Sequence, residues 1–505
     1  MATLNRHVFV ALATAALIAG CTHTASDDAS PKGGERPAVS DADQSAQEGR
    51  AGDQGGGDEV AEEQELTQKR LEAFAAAREN GKVGAGLTVT NYPAPGWNGE
   101  QLLNANTDDW EPALAADPNA PYVYLLTTRY GAPKLCPKHC PAPYLALTIS
   151  SDGGRTWGPQ HPLCMCRGAK AQYDPTIEVV PDTGDVYATF LNGDRAGGFS
   201  AAFFRSQDHG RTWTRPVHVY GNVAWTDKPE VTSSADGRDV YVSWNGPQGG
   251  DLYAGVSHDF GRTWSQYKLS SSKRYYYAYD ATTLPNGTVV FSESSLLYGS
   301  GGREVKGKTW HHAVISRDRG KTWRNVVLDK VENGQPCVAR GCSSDFYIGQ
   351  TSVASDAAGR LAFSYEGSRS AGGPQRIFVR TSTDQGRIWS GRVALSAPDE
   401  IATGPRIDFA GPRKARIWYM QTSGGDPDAW NVWFRSSSDG GTTWGRPVKL
   451  SDATSGPGYV GAHGFKEIYG DYGEIAVTNT GKTIAAWGEG FSYIGPGGTW
   501  FALQK

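Results

Sequence analysis

After Gly81 the chain alternates apolar and polar positions with a period of two, in short runs broken by turn residues. TIEVVPDTGDVYATF from Thr176, EVTSSADGRDVYVSW from Glu230 and TTLPNGTVVFS from Thr282 each read as a strand, a tight turn and a second strand. SVASDAAGRLAFSY from Ser352 and EIAVTNTGKTIAAW from Glu474 repeat the pattern. ALAADPNAPYVYLL from Ala113 and RIDFAGPRKARIWYM from Arg406 repeat it with weaker turns, giving seven hairpins. A third strand follows each hairpin, as in YLALTIS, SAAFFRS or NVWFRSS, and a fourth comes later, as in RPVHVY, RNVVLDK or RPVKLS.

Between the third and fourth strands a polar octet recurs. SSDGGRTW starts at Ser150, SQDHGRTW at Ser206, SHDFGRTW at Ser257, SRDRGKTW at Ser316, STDQGRIW at Ser382 and SSDGGTTW at Ser437. The shared form is Ser-x-Asp-x-Gly-x-Thr-Trp, broken once where Ile388 replaces the threonine. Asp bonds backbone N–H groups across such a turn, and Gly takes positive φ without steric cost. Trp then returns to the apolar layer, where its large area stabilises the stack. Four antiparallel strands recurring at regular spacing predict an all-β fold, a β-propeller.

The octet resembles the Asp-box, or bacterial neuraminidase repeat, of sialidases and related propellers, and the resemblance covers most of residues 110–505. It implies that Asp152, Asp208, Asp259, Asp318, Asp384 and Asp439 are structural turns on the face opposite any active site. The last hairpin is followed only by TWFALQ, so its fourth strand must come from elsewhere. Gly86–Thr90, GLTVT, is the candidate that would close a seven-bladed ring by pairing both chain ends; six blades with an appended hairpin is the alternative.

The stretch before the propeller (residues 82–505) divides into three. Residues 1–21 carry Arg6 and His7, an apolar run from Val8 to Ile18, and Leu-Ile-Ala-Gly-Cys ending at Cys21. This resembles a bacterial lipoprotein signal whose cysteine is lipidated, so the expectation is a cell-membrane anchor facing outside the cytoplasm. Residues 22–57 are polar and cannot bury enough surface to fold, which predicts an acidic, flexible linker. Residues 58–81 are rich in helix formers and predict a short helix, docked or free.

Charge changes the picture only at the front. Residues 22–80 hold 14 acidic and 6 basic side chains, while the whole chain is −4, so the remainder is mildly basic. No dense Lys/Arg stripe marks a nucleic-acid surface. No phosphate-cradling Gly-rich loop, H-E-x-x-H, EF-hand loop or G-x-S-x-G is present, and no cofactor or metal is called for. Without Cys21, six cysteines remain, and outside the cytoplasm they predict disulfides. Cys337 and Cys342 form one pair; Cys136, Cys140, Cys164 and Cys166 form the other group, with a zinc site including His139 or His161 as its rival.

Long loops gather on the face opposite the boxes, and residues opening each innermost strand should ring a central funnel. The candidates for catalysis are Asp174, Glu467, Asp471 and Tyr472, because glycosidases flank one bond with two carboxyls. The candidates for substrate contact are Arg129, Arg406, Asp227, Asp280, Trp225 and Tyr277. Family sialidases carry an arginine triad, a Tyr–Glu pair, an Asp acid/base and an Arg-Ile-Pro motif. That motif is missing here: Arg406-Ile407 is followed by Asp408. The expectation is a monomeric, lipid-anchored, sialidase-like propeller that binds glycan, with hydrolysis left open by the missing motif. A non-catalytic module for a surface protein is the alternative.

Overall fold

The computed structural model describes residues 56–80, 94–131, 135, 141–164, 168–193, 199–219, 227–246, 250–270, 273–298, 305–334, 348–451, 460–461, 464–465, 467–468, 473–490 and 495–505. Seven antiparallel sheets follow one another in chain order. Their first strands are Asp108–Ala116, Ala171–Val179, Asp227–Ser233, Tyr275–Thr283, Thr351–Ser355, Ala402–Phe409 and Glu474–Val477. All seven line one central cavity, which makes them the innermost strands of a seven-bladed propeller. Residues 1–55, including Cys21 and most of the expected linker, lie outside the described residues.

The alternation read in the sequence has a simple destination. Each blade is sandwiched between two others, so both faces of its middle strands are buried. Val123–Gly131 and Val289–Leu296 are buried at every position. The core is correspondingly split into layers between neighbouring blades. Tyr124 and Leu147 of blade 1 meet Ala188 and Phe204 of blade 2. The ring closes in the same manner, where Leu125 of blade 1 joins Ile484 and Phe501 of blade 7.

Closure differs in detail from the expectation. Blade 7 takes its outermost strand from Gln101–Leu102, paired to Phe501 and Trp500. The expected Gly86–Thr90 lies outside the described residues. The reason is upstream at Trp97, which is only 2% exposed and packs edge-on against Phe434 at 4.8 Å, fixing this segment at the sheet edge. A bridge from Trp97 to Gln504 extends the pairing. A strand of two residues carries no period for the eye to find.

The octets form the predicted turns. In the third box the Ser257 hydroxyl donates to Asp259 (2.8 Å) and accepts from the Gly261 N–H (3.0 Å). Asp259 also accepts from the N–H (2.9 Å) and hydroxyl (2.7 Å) of Thr263. Two successive residues take positive φ, Phe260 at 65° and Gly261 at 76°. A Cβ on Gly261 would lie 2.1 Å from Phe203 of the preceding blade, so glycine is required by contact as well as by φ. Box tryptophans reach across in the same way: Trp264 meets Phe203 at 5.3 Å and Trp157 meets Phe501 at 5.4 Å.

The helix, α1 (Gly56–Glu79), is docked. Thr67, Arg70, Phe74 and Ala77 are its buried residues, a stripe at helical spacing. Phe74 sits over Gly131, where a Cβ would fall 2.3 Å from its ring. Burying one such ring contributes about 1.5–3 kcal/mol. No helix among the described residues is long and apolar enough to cross a membrane.

Candidate functional site

Turns joining strands one and two share a face with the boxes, as the Gly153 N–H to Pro121 carbonyl bond (2.8 Å) shows. The opposite face is therefore where each innermost strand begins. Four blades carry one local motif there: Trp110-Glu111-Pro112, Tyr173-Asp174-Pro175, Asp227-Lys228-Pro229 and Thr403-Gly404-Pro405. The middle residue has positive φ in each, 55° for Glu111, 51° for Asp174, 47° for Lys228 and 63° for Gly404. Strand register shifts at every one of these positions. The motif is a β-bulge whose proline fits because a bulged residue has no ladder bond to give. A non-glycine residue held at positive φ stores about 1 kcal/mol or more of strain.

Carboxylates hold these bulges in sequence around the ring. Glu111 accepts the Thr128 hydroxyl at 2.6 Å and the Asp174 N–H at 2.9 Å. Asp174 in turn accepts the Lys228 N–H at 3.2 Å. Across the ring, Glu366 accepts the Thr403 hydroxyl (2.6 Å) and the Gly404 N–H (3.1 Å).

Asp174 and Asp227 form a carboxyl pair at this mouth. Burial raises the Asp174 pKa, and the adjacent Asp227 carboxyl raises it further, while Lys228 opposes both. Two neighbouring carboxyls do not both ionise cheaply, which favours the protonated form of Asp174. Asn245 links the pair to blade 4: its amide lies 3.5 Å from Asp227 and 3.3 Å from the Tyr275 hydroxyl. Tyr275 packs on Tyr277 at 4.9 Å and stands perpendicular to Tyr298 at 5.7 Å, and the Tyr277 and Tyr298 hydroxyls are 2.7 Å apart. The carboxyl pair is thus joined through Asn245 to a group of phenol rings.

Deeper lies a cavity of about 720 Å³ lined by Glu178, Glu230, Asp280, Arg406, Asp408 and Glu474. Several of these carboxylates pin neighbouring blades. Glu178 accepts the N–H (3.1 Å) and hydroxyl (3.0 Å) of Ser233. Asp280 accepts the Ser352 hydroxyl (2.6 Å) and the Val353 N–H (3.0 Å). Burial pushes Glu178 up to about 8 and Asp408 up to about 7, and it raises Glu230 as well. Arg406 donates to the Thr351 carbonyl (3.3 Å), and its Nε lies 3.8 Å from Glu474.

The structure therefore brings Asp174, Asp227 and Tyr277 together, and sets Asp280 and Arg406 below them in the channel wall. Arg129 is elsewhere. It is 1% exposed, held by Asp109 through two bonds of 2.6 and 2.8 Å, and it donates to Gln160 at 2.7 Å. Asp471, Tyr472 and Trp225 lie outside the described residues, as does the side chain of Glu467, whose backbone pairs with Gly490. Cys164 is disulfide-bonded; the other five cysteines expected to pair lie outside the described residues. Sequence reasoning missed Asn245, Tyr298 and Glu366, and overlooked the recurring x-Pro bulge. The strings WEPA, YDPT, DKPE and TGPR carried that signal in plain view.

The chain is similar to known proteins. The BNR repeat-like domain family matches residues 72–335. An uncharacterised protein from Dyadobacter fermentans is similar over 81% of this chain and 99% of its own, at 14% identity and a TM-score of 0.45. A Hadza microbial sialidase is similar over 79% of this chain and 66% of its own, at 15% identity and 0.44. A polysaccharide lyase described as an ulvan lyase is similar over 79% of this chain and 95% of its own, at 14% identity and 0.46. No curated protein matches.

Proposed function

The chain belongs to the BNR repeat-like domain family, and from that premise and the loop-face geometry we propose that it binds glycan and cleaves a glycosidic bond. The observation that carries this reading is the adjacency of buried Asp174, whose pKa burial and Asp227 raise, to half-buried Asp227, with Asn245 bridging Asp227 to the phenol group of Tyr275, Tyr277 and Tyr298. A carboxyl that stays protonated near neutrality is what a glycosidase needs to protonate a leaving oxygen. Asp227, the less buried member, delivers the proton, and Asp174 resupplies it. Phenol faces and hydroxyls suit the apolar and polar sides of a sugar ring. Glu467, Asp471 or Tyr472 provides the opposing group. Cys21 carries the lipid that anchors the protein outside the cytoplasmic membrane, and Cys164 joins its disulfide to Cys136 or Cys140 of the neighbouring loop.

Asp174→Asn and Asp227→Asn should each lower product release about 10²–10⁴-fold while leaving glycan binding in place. The measurement is reducing-end and sialic-acid release across neutral, sialylated and uronate-containing glycans, alongside binding by calorimetry. Undiminished release in both variants would sink the acid assignment. A second reading, a non-catalytic binding module, is favoured by Arg129, whose engagement with Asp109 and Gln160 leaves it poorly placed to hold a substrate carboxylate. Binding without turnover by the unaltered protein would select that reading.

A further inference from the structure

The helix α1 does not rest on a neutral part of the rim. Arg70, 1% exposed, lays its guanidinium 3.5 Å from the ring centre of Trp110 and 4.7 Å from that of Tyr130. One turn earlier, the Thr67 hydroxyl bonds the Tyr173 hydroxyl at 2.7 Å. Trp110 and Tyr173 are the residues directly before the two strained carboxylates, Glu111 and Asp174. These rings, with Tyr130 and Phe199, form a buried aromatic cluster between the loop-face ends of blades 1 and 2. The helix thus grips the first residue of two adjacent bulges, and the second bulge carries one member of the carboxyl pair.

We propose that α1 is a working part of the loop-face site, with Arg70 and Thr67 as positioning residues that hold the Glu111 and Asp174 bulges and keep Asp174 from water. The inference rests on the reading of Asp174–Asp227 as the acid of that site. Its physical basis is twofold. Positive φ ahead of a proline persists only where surrounding contacts over-determine it, and the aromatic grip supplies such contacts at the residue before each bulge. A planar guanidinium stacked on Trp and Tyr faces is a specific contact that lysine reproduces only in part. The charged groups that act on the Asp174 carboxyl are Asp227 and Lys228 from blade 3, while Glu111 from blade 1 holds its backbone N–H, so its protonation answers to how these groups are held and how much water reaches them.

The test uses the full chain labelled at the aspartate carboxyl carbon, with the Asp174 and Asp227 signals assigned from Asp174→Asn and Asp227→Asn. Carboxyl titration is followed by NMR in the unaltered protein, Arg70→Ala, Arg70→Lys and Thr67→Val, with hydrogen exchange of residues 64–79 measured in parallel. Arg70→Ala should shift the Asp174 titration toward the ordinary aspartate range by about one pH unit or more, with Thr67→Val in the same direction and smaller. Arg70→Lys should recover part of the shift. Should Arg70→Ala fail to fold, Thr67→Val carries the comparison, because it deletes one hydrogen bond and little volume. An unchanged titration in the folded variants overturns the positioning role. An ordinary aspartate titration in the unaltered protein overturns the acid reading itself, a separate result.

Discussion

Two sets of carboxylates in this molecule have the same chemistry and opposite electrostatics. The box residue Asp439 is held well below the usual aspartate range by the Thr443 hydroxyl and N–H and by Ser437. Asp152, Asp208, Asp259, Asp318 and Asp384 are lowered too, by the same kind of donors. Across the ring, Glu178, Glu366 and Asp408 are pushed up, by burial, even though each accepts hydrogen bonds. Donors decide the outcome where water still reaches the carboxylate, and desolvation decides it where water is kept out. The turns of one face therefore favour the charged form, and the buried carboxyls of the channel favour the protonated one. The raised set suits proton transfer, whereas the lowered set suits a rigid scaffold.

The contrast can be strained at several points. The largest expected effect comes from the apolar end of the box: Trp323→Ala removes a ring stacked on Phe291 at 4.9 Å and should cost about 3 kcal/mol, read by chemical denaturation. Next is pH. The box carboxylates lie below their ordinary 3.8, so their stabilisation is present above that value and is lost as pH falls through their lowered values. Glu178 and Glu366 lie near 8 instead of 4.5, so their burial is free of penalty below 4.5 and costs stability as pH rises toward 8. Thermal midpoints should accordingly peak in mildly acidic buffer, and Glu178→Gln should flatten the alkaline decline. A midpoint that climbs steadily to pH 8 would contradict this account.

Removing a box carboxylate should act in the other direction from removing a channel one. Asp259→Ala leaves the Thr263 N–H and hydroxyl without their acceptor and should destabilise by about 1–2 kcal/mol, like the loss of a helix cap. The smallest expected effect is a gain. Ile388 is 75% exposed and stands where the other boxes place a threonine hydroxyl on the aspartate at about 2.6 Å. Ile388→Thr should restore that bond to Asp384 and add about 0.5–1 kcal/mol, seen as a small rise in midpoint.

The site was legible to unequal degrees. Asp174 and Asp227 could be named because they open innermost strands, and Tyr277 because aromatic neighbours suit sugars. Their pairing could not, since Tyr173-Asp174-Pro175 and Asp227-Lys228-Pro229 belong to different blades and meet only when neighbouring blades pack. Arg129 was selected for its charge, yet its strand position sets it against Asp109, a partner that only the strand register reveals.

The sequence by itself determined the repeat: a two-residue alternation buried on both faces, and turns in which Ser, Asp, Gly and Thr satisfy one another locally. Those interactions span a few residues, so they are written in adjacent letters. Only the tertiary structure decided which carboxylates keep their charge, which strand seals the ring, and that α1 lies on the aromatic cluster beside Asp174. Each depends on residues far apart in the chain excluding water from one another, and exclusion of water is a property of the closed ring, not of any segment within it.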